Sequence, residues 1–394
     1  MDTRREMMGG VLSSSKLIDN YLTIEALEDG LFASLSYNAC EYCIDGDENW
    51  RSLPMDTTTE TINTGQTLSF RGEITPTSYG IGSFSVNKKF NLLGNCMSLL
   101  FGDNAANNFS LEGKGGAFTS LFEASKVVEV SDNFLPATTL AEDCYVNMFN
   151  SCGGLTTAPA LPATTLAGSC YYGMFQDCIS LTTAPSILPA TTLTNDCYAY
   201  MFWNCDNLTE APELPATTLA AYCYDSMFDH CISLVNAPEL PATTLATGCY
   251  IYMFNGCSSL QNAPSLPATT LASNCYYSMF ANCTSLVNAP TILPAITLET
   301  YCYDQMFSGC SWLRRAPELP ALRLTAYCYS HMFRHCTSLN YIKMLAIDIS
   351  ATNCLNDWVY FGTSSIGTFV KNKDATWNVT GESGIPDGWT VQTV

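Results

Sequence analysis

From Leu135 onward, apolar and polar positions follow one phrase that returns every 26 or 27 residues. In its first full copy the apolar positions are Leu140, Cys144, Met148, Cys152 and Leu155, spaced 4, 4, 4 and 3, and Tyr145 and Phe149 widen the stripe. Glu142, Asp143, Asn147 and Asn150 fill the gaps. That spacing predicts an amphipathic helix with one buried face. Thr156-Thr157-Ala158 follows, a β-tolerant run that ends at Pro159. Proline has no N–H to give a ladder, so the predicted strand is only three or four residues long. Pro162 opens the turn into the next helix.

The paired cysteines mark the copies. The first of each pair falls at Cys144, Cys170, Cys197, Cys223, Cys249, Cys275, Cys302 and Cys328, and the second follows eight residues later, from Cys152 to Cys336. The two 27-residue steps arise at "APSILP" (184–189) and "APTILP" (289–294), each one residue longer than "APALP" (158–162). An insertion at a corner leaves the core stripe in phase, as in stacked arrays of this period. One unit cannot bury its own apolar face, so neighbours must do so. Strands stack at about 4.8 Å and helices at about 8–10 Å, which predicts a curved solenoid with its strands inside. "AFTSLFEASKVV" (117–128) and "CMSLLF" (96–101) read as degenerate copies, with Ala117 and Ser125 in cysteine places; "CLNDWV" (354–359) keeps the phase. The tail after it breaks the period and reads as a cap.

Residues 21–95 differ. "YLTIEAL", "LFASLSY", "CEYCI", "ETINTGQTLSFRGEI" and "GSFSVNKKFNL" are alternating or β-rich runs separated by Gly, Asp and Asn, predicting a small antiparallel β-sandwich. "IDGDENW" (44–50) reads as a hairpin turn. The expected organisation is an N-terminal arm over 1–20, a sandwich over 21–95, an α/β repeat solenoid over 96–361 with eight full units at 135–346, and a cap over 362–394.

The Met-Phe-x-x-Cys-x-Ser-Leu core and the Leu-Pro-Ala-Thr-Thr-Leu turn resemble the BspA-like leucine-rich repeats of surface proteins of gut and oral Bacteroidetes, over about residues 96–394. The resemblance implies a leucine-rich-repeat-type horseshoe and a role in adhesion or recognition. Such proteins normally carry a secretion signal. The opening MDTRREMMGGVLSSSKLIDNY has no apolar stretch after its arginines and does not read as one. The internal LPATT strings lack the glycine of a sortase signal.

Composition narrows the partners. Thirty-six acids stand against 16 bases, a formal charge of -20, which repels nucleic-acid phosphates and anionic membranes. No run of eighteen apolar residues appears, so membrane insertion is not expected.

Candidate chemistry is sparse. On helices, Cys144 and Cys152 would lie about 12 Å apart, and equivalent cysteines of adjacent units about 8–10 Å, too far for disulfides. They read as small buried apolar residues. A disulfide ladder becomes possible if the helical side is really a tight turn stacked at about 5 Å. "CYSHMFRHC" (328–336) has zinc-like spacing at His331 and His335, but its cysteines recur where no histidine does. "CEYC" (40–43) is a lone pair, and "DGDEN" (45–49) lacks the glycine and glutamate of a calcium loop. With three histidines, no phosphate loop and no nucleophile elbow, neither enzyme activity nor a metal or cofactor is expected.

The variable positions lie after each final leucine: Thr156 and Thr157, Thr182 and Thr183, Thr209 and Glu210, Val235 and Asn236, Gln261 and Asn262, Val287 and Asn288, Arg314 and Arg315, Asn340 and Tyr341. They flank the predicted strand and are the expected ligand-binding positions, although solvated strand positions need no partner. The expected function is non-catalytic recognition. One setting is a phage virion, as a fibre or decoration subunit whose N-terminal region meets other virion proteins and whose solenoid meets a host surface protein or glycan. The alternative is a bacterial cell-surface adhesin, and a third reading is an accessory module of a carbohydrate-active enzyme. A homo-oligomer is compatible with each.

Overall fold

The computed structural model describes residues 19–77 and 79–394. The expected arm over residues 1–20 falls almost wholly outside them.

Each 26–27-residue unit forms one rung, and successive rungs stack in register. Isolated parallel bridges join equivalent positions, such as Thr157 to Thr183, Glu210 to Asn236, Asn236 to Asn262 and Asn262 to Asn288. The strand expected after each final leucine is mostly a single bridged residue.

The expected helix is absent: between residues 108 and 394 no α-helix occurs. The apolar stripe is instead a run of tight turns. Val146, Met148, Asn150 and Cys152 donate their N–H groups three residues back, to Asp143, Tyr145, Asn147 and Phe149. The residues between them, Tyr145, Asn147, Phe149 and Ser151, donate to the next rung at Cys170, Tyr172, Met174 and Gln176, 2.8–3.0 Å. Half of the backbone donors therefore leave the rung, whereas an α-helix keeps its bonds inside itself. Every fourth residue is left-handed, as at Asp143 (φ 56°), Asn147 (φ 52°) and Ser151 (φ 59°), and each full unit repeats the triplet. No β-branched residue occupies these places. Left-handed backbone costs roughly 1–2 kcal/mol for most side chains and least for Gly, Asn and Asp. The bonds to the next rung offset that cost.

The turn run also removes the premise for strong curvature. Stacked side chains lie 5.5–5.8 Å apart in the tyrosine column from Tyr145 to Tyr329. In the phenylalanine column from Phe149 to Phe333 they lie 5.5–5.9 Å apart. This is close to strand spacing and well short of helix spacing.

The core is these two ring columns together with the methionine, both cysteines and the leucines of each copy, nearly or fully buried except for Leu219, which is partly buried. All 20 cysteines are buried as free thiols. The second cysteine of each unit has a specific task. Cys178 Sγ donates to the Phe149 carbonyl of the preceding rung at 3.1 Å, and the same contact recurs at 3.0–3.1 Å through Cys336 to Phe307. The Phe149 carbonyl also accepts the Cys152 N–H at 3.1 Å, so both its lone pairs are used.

The tyrosine hydroxyls are less well served. Tyr198 and Tyr303 bury theirs without a partner among the described residues. A buried unpaired hydroxyl carries a desolvation cost of about 1–3 kcal/mol. Tyr198→Phe and Tyr303→Phe are therefore expected to leave stability unchanged or raise it by up to about 1 kcal/mol in urea unfolding. A loss above that would mean the hydroxyls bond to trapped water.

At the N-terminal end, β1 (Leu22–Ala26), β3 (Cys40–Ile44), β4 (Arg51–Leu53), β5 (Thr67–Arg71), β7 (Phe90–Leu93) and β8 (Val127–Val130) form one sheet in the order β4-β3-β5-β1-β7-β8. β2 (Ala33–Leu35) pairs with β6 (Phe84–Val86). Pairing is antiparallel except at the edge, where β8, from the repeat region, joins β7 in parallel. Phe84 of β6 stacks on Phe122 (5.4 Å), and Phe122 on Phe149 (6.0 Å), so the phenylalanine column begins in this region. Residues 117–128 make the rung bonds expected of a degenerate copy, for example Phe118 N–H to Cys144 O at 2.7 Å. Residues 96–101 do not: they include a short helix, α1 (Ser98–Phe101), whose Ser98 and Leu99 carbonyls accept from Gly72 and Ile74.

At the other end the parallel pairing outlasts the sequence repeat. β9 (Leu339–Met344), β10 (Thr363–Lys371) and β11 (Thr390–Thr393) form a parallel sheet in chain order. Fully buried Trp358 sets its ring at a tilt against Phe333 (5.9 Å) and edgewise against Phe369 (6.3 Å), closing the column.

Candidate functional site

The sixteen variable positions do come together. Fourteen are exposed, and Thr156 and Tyr341 are half-buried. The bridges align Thr157 with Thr183, then Glu210, Asn236, Asn262 and Asn288 in sequence, then Arg315 with Tyr341. The result is a ladder face along the array, one row of side chains per rung. Asn288 donates to Asn262 Oδ1 at 2.7 Å, so neighbouring amides are tied along the stack.

A groove of about 710 Å³ opens over the first rungs of this face, lined by Thr157, Thr182, Thr183, Thr209 and Glu210. Asp132, Ser186 and Glu213 also line it and were missed from sequence. Ser186 and Glu213 sit at the proline corners, which a reading limited to the strand passed over. These hydroxyls and carboxylates share the groove with Ala158, Ala184, Pro185 and Ala211, so it can exchange hydrogen bonds with a polyol, or accept them from a cationic group, while offering apolar surface beside them.

The far end has opposite character. Arg315 Cζ lies 3.6 Å above the Tyr341 ring. Lys343 pairs with Glu318 at 2.9 Å, while Arg314 and Arg315 have no ion pair among the described residues.

The other sequence candidates resolve into structural roles. Cys40 and Cys43 lie three apart on β3, so they leave opposite faces of the strand. Both are buried, and burial pushes the Cys40 thiol up to about 12 and the Cys43 thiol to about 11. In the 45–49 turn, Asp47 pairs with Arg51 (2.7 Å) and Asp45 accepts from Thr67 N–H (2.8 Å). His331 and His335 are both left-handed turn residues. His331 Nδ1 meets Ser330 Oγ at 2.7 Å and Asp304 at 3.5 Å, and His335 stacks on Phe361. Among the described residues no group of three or more His, Cys, Asp or Glu could hold a metal ion, and no helix is long and apolar enough to cross a membrane.

The turn side carries a strained carboxylate. Burial, with Asp196 and Asp229 nearby, raises Asp225 to about 6, against the help of the Ser226 hydroxyl at 2.7 Å. A raised carboxyl binds its proton more tightly folded than unfolded, so it costs no stability below about pH 4 and costs most above pH 6. Asp225→Asn is expected to stabilise the protein by about 1–2 kcal/mol at pH 7 and by almost nothing at pH 4. Equal gains at both pH values would show that the charge is not the cause.

No family model matches the chain, and no curated protein matches it. A solved leucine-rich repeat protein from Bacteroides ovatus is similar at 14% identity, covering 63% of this chain and 77% of that one, with a TM-score of 0.27. That likeness is too loose to transfer a function.

Proposed function

We propose that this chain is a non-catalytic recognition protein of leucine-rich-repeat type, a solenoid that presents its ladder face to a surface protein or glycan. The observation that carries this reading is the separation of constant from variable. A backbone repeated rung after rung holds exposed positions that change from threonine to glutamate, asparagine and arginine, and a groove opens over five of them. A triple variant, Thr157→Ala, Thr183→Ala, Glu210→Ala, should lose binding to host cells, mucin or a glycan array while its unfolding free energy stays within about 0.5 kcal/mol of the parent. Unchanged binding would move the site off the groove.

The setting is proposed at a finer level. The chain serves either in a virion, its N-terminal region contacting other virion proteins, or at a bacterial surface as a BspA-like adhesin. The Met-Phe-x-x-Cys-x-Ser-Leu and Leu-Pro-Ala-Thr-Thr-Leu phrases support surface contact in both. Fractionation of a source culture separates them: co-sedimentation with DNA-containing particles supports the virion, and retention in cell envelopes the adhesin.

A further inference from the structure

We infer that the C-terminal end of the ladder face is a subsite for an acidic glycan, with Arg314 and Arg315 holding its carboxylate or sulfate groups and Trp312 giving a stacking surface. This rests on the recognition reading above and names a ligand class for one end of the same face.

Three observations meet there. The first is charge placement. The chain carries 36 acids against 16 bases, yet Arg314, Arg315, Arg323, Arg334 and Lys343 fall within thirty residues where Glu318 is the lone acid. Lys343 takes Glu318 at 2.9 Å, Arg323 reaches Asp348 at 4.0 Å, and half-buried Arg334 lies 5.2 Å over the Tyr360 ring, leaving Arg314 and Arg315 as the adjacent pair that is exposed and without an ion pair among the described residues. In so acidic a chain, carboxylates to pair with are plentiful, so two free guanidiniums are a specific arrangement.

The second is preorganisation. The Arg315 guanidinium sits 3.6 Å over the Tyr341 ring of the next rung. Stacking fixes the plane of the fork and leaves its N–H edge for a planar or tetrahedral anion, which lowers the entropy lost on binding. Arg314 is its chain neighbour on the same rung.

The third is the apolar neighbour. Trp312 is 63% exposed, the most solvent-exposed tryptophan that the structure describes as such. Leu313 between Trp312 and Arg314 is fully buried, whereas Trp312 and Arg314 themselves are both exposed. An exposed indole two residues from Arg314 along the chain suits a sugar ring bearing an acid group: the ring face packs on the indole and the anion meets the guanidinium. Leading up to it are Asn236, Asn262 and Asn288, amides that both donate and accept, as successive hydroxyls of a polymer require. An acidic peptide would use the arginines but has no need of the indole or the amide row, which is why a glycan is favoured.

The test uses the full chain and four probes at about physiological ionic strength: polygalacturonate for carboxylate, dextran sulfate for sulfate, unmodified dextran as the neutral control, and polyglutamate as the peptide anion. Binding is expected to polygalacturonate, dextran sulfate or both, to weaken with added salt, and to be absent for dextran. Which of the two binds identifies the acid group. Arg314→Ala with Arg315→Ala should weaken it at least tenfold. Trp312→Ala should weaken the glycan and leave any residual polyglutamate binding unchanged. Arg323→Ala, whose side chain is 81% exposed on the same end of the array, should stay within twofold. All four positions are exposed, and equal unfolding midpoints confirm that each variant folds. Equal affinity for polyglutamate overturns the glycan assignment. So does a wild-type chain that binds neither acidic polysaccharide, or a double arginine variant that binds as the parent does. Such a chain that still binds cells or mucin through Thr157, Thr183 and Glu210 keeps the recognition reading and loses this subsite alone.

Discussion

Phe228→Ala is expected to lower the unfolding free energy by about 3–5 kcal/mol. Phe228 is fully buried, with the Phe202 and Phe254 rings at 5.6 Å on either side. Truncation removes the transfer free energy of the ring and leaves a hole between two rungs that cannot close, because their spacing is set by backbone bonds such as Phe228 N–H to Met253 O at 2.9 Å. It also breaks two ring contacts, each worth about 0.5–1.5 kcal/mol beyond area. The position matters as much as the residue. A stacked array is stabilised by nearest-neighbour interfaces, so a defect in a middle rung weakens the coupling between its halves. Urea unfolding should therefore show a lower midpoint together with a broadened or split transition, since the two halves no longer melt as one. Ile232→Ala, at an exposed site nearby, should change stability by less than about 0.5 kcal/mol. A Phe228 variant as stable as the parent would mean that neither the burial of this ring nor its stacking contributes to stability.

The second large effect is chemical. In the folded protein the 20 thiols should resist a water-soluble alkylating reagent at pH 8, with rates at least about a thousandfold below those in denaturant, because modification must wait for opening of the array. Two causes add. The sulfurs are inaccessible, and burial pushes the thiols up, to about 11 at Cys152 and about 12 at Cys144, Cys197, Cys275 and Cys328. The attacking species is the thiolate, so each unit of rise removes about nine-tenths of it. Cys354, in the last rung beside the cap, should react first, and the middle rungs last. Mass spectrometry after timed labelling reads the order. Full labelling of native protein within minutes would sink the prediction. An untreated mass lower by two hydrogens per cysteine pair would show instead that neighbouring rungs are joined by disulfides, an arrangement that the short rung spacing makes geometrically reachable.

Much of the repeat was legible. The 26–27-residue period, the buried stripe, the one-residue insertions at the corners and the clustering of variable positions on one face all follow from periodic burial, which a single sequence displays. The helix did not follow, and the chain held a warning. From Leu140 to Cys152 the stripe steps by four three times, and at about 3.6 residues per turn that drift places the two ends roughly 120° apart on a helix. A stripe that must face one core cannot tolerate such drift. The second warning was the series Asp143, Asn147, Ser151 and its counterparts in every unit, where β-branched residues are missing. The groove was half legible: Thr157, Thr183 and Glu210 were found, while Ser186 and Glu213 wait at a corner whose path only the folded chain defines.

What the sequence by itself determined is therefore which residues are buried, how often the unit returns, and which positions vary along one face. Hydrophobic burial is additive along a chain and leaves its mark residue by residue. The tertiary structure alone decided where the backbone bonds go. Asn147 donates to Tyr172 rather than within its own turn, β10 and β11 continue the parallel pairing after the repeat has gone, and β8 ties the array to the N-terminal sheet. A hydrogen bond to the next rung is satisfied by a neighbour 25 residues away, whose position exists only once the array has stacked, so one unit's pattern can warn against a helix without naming the acceptor.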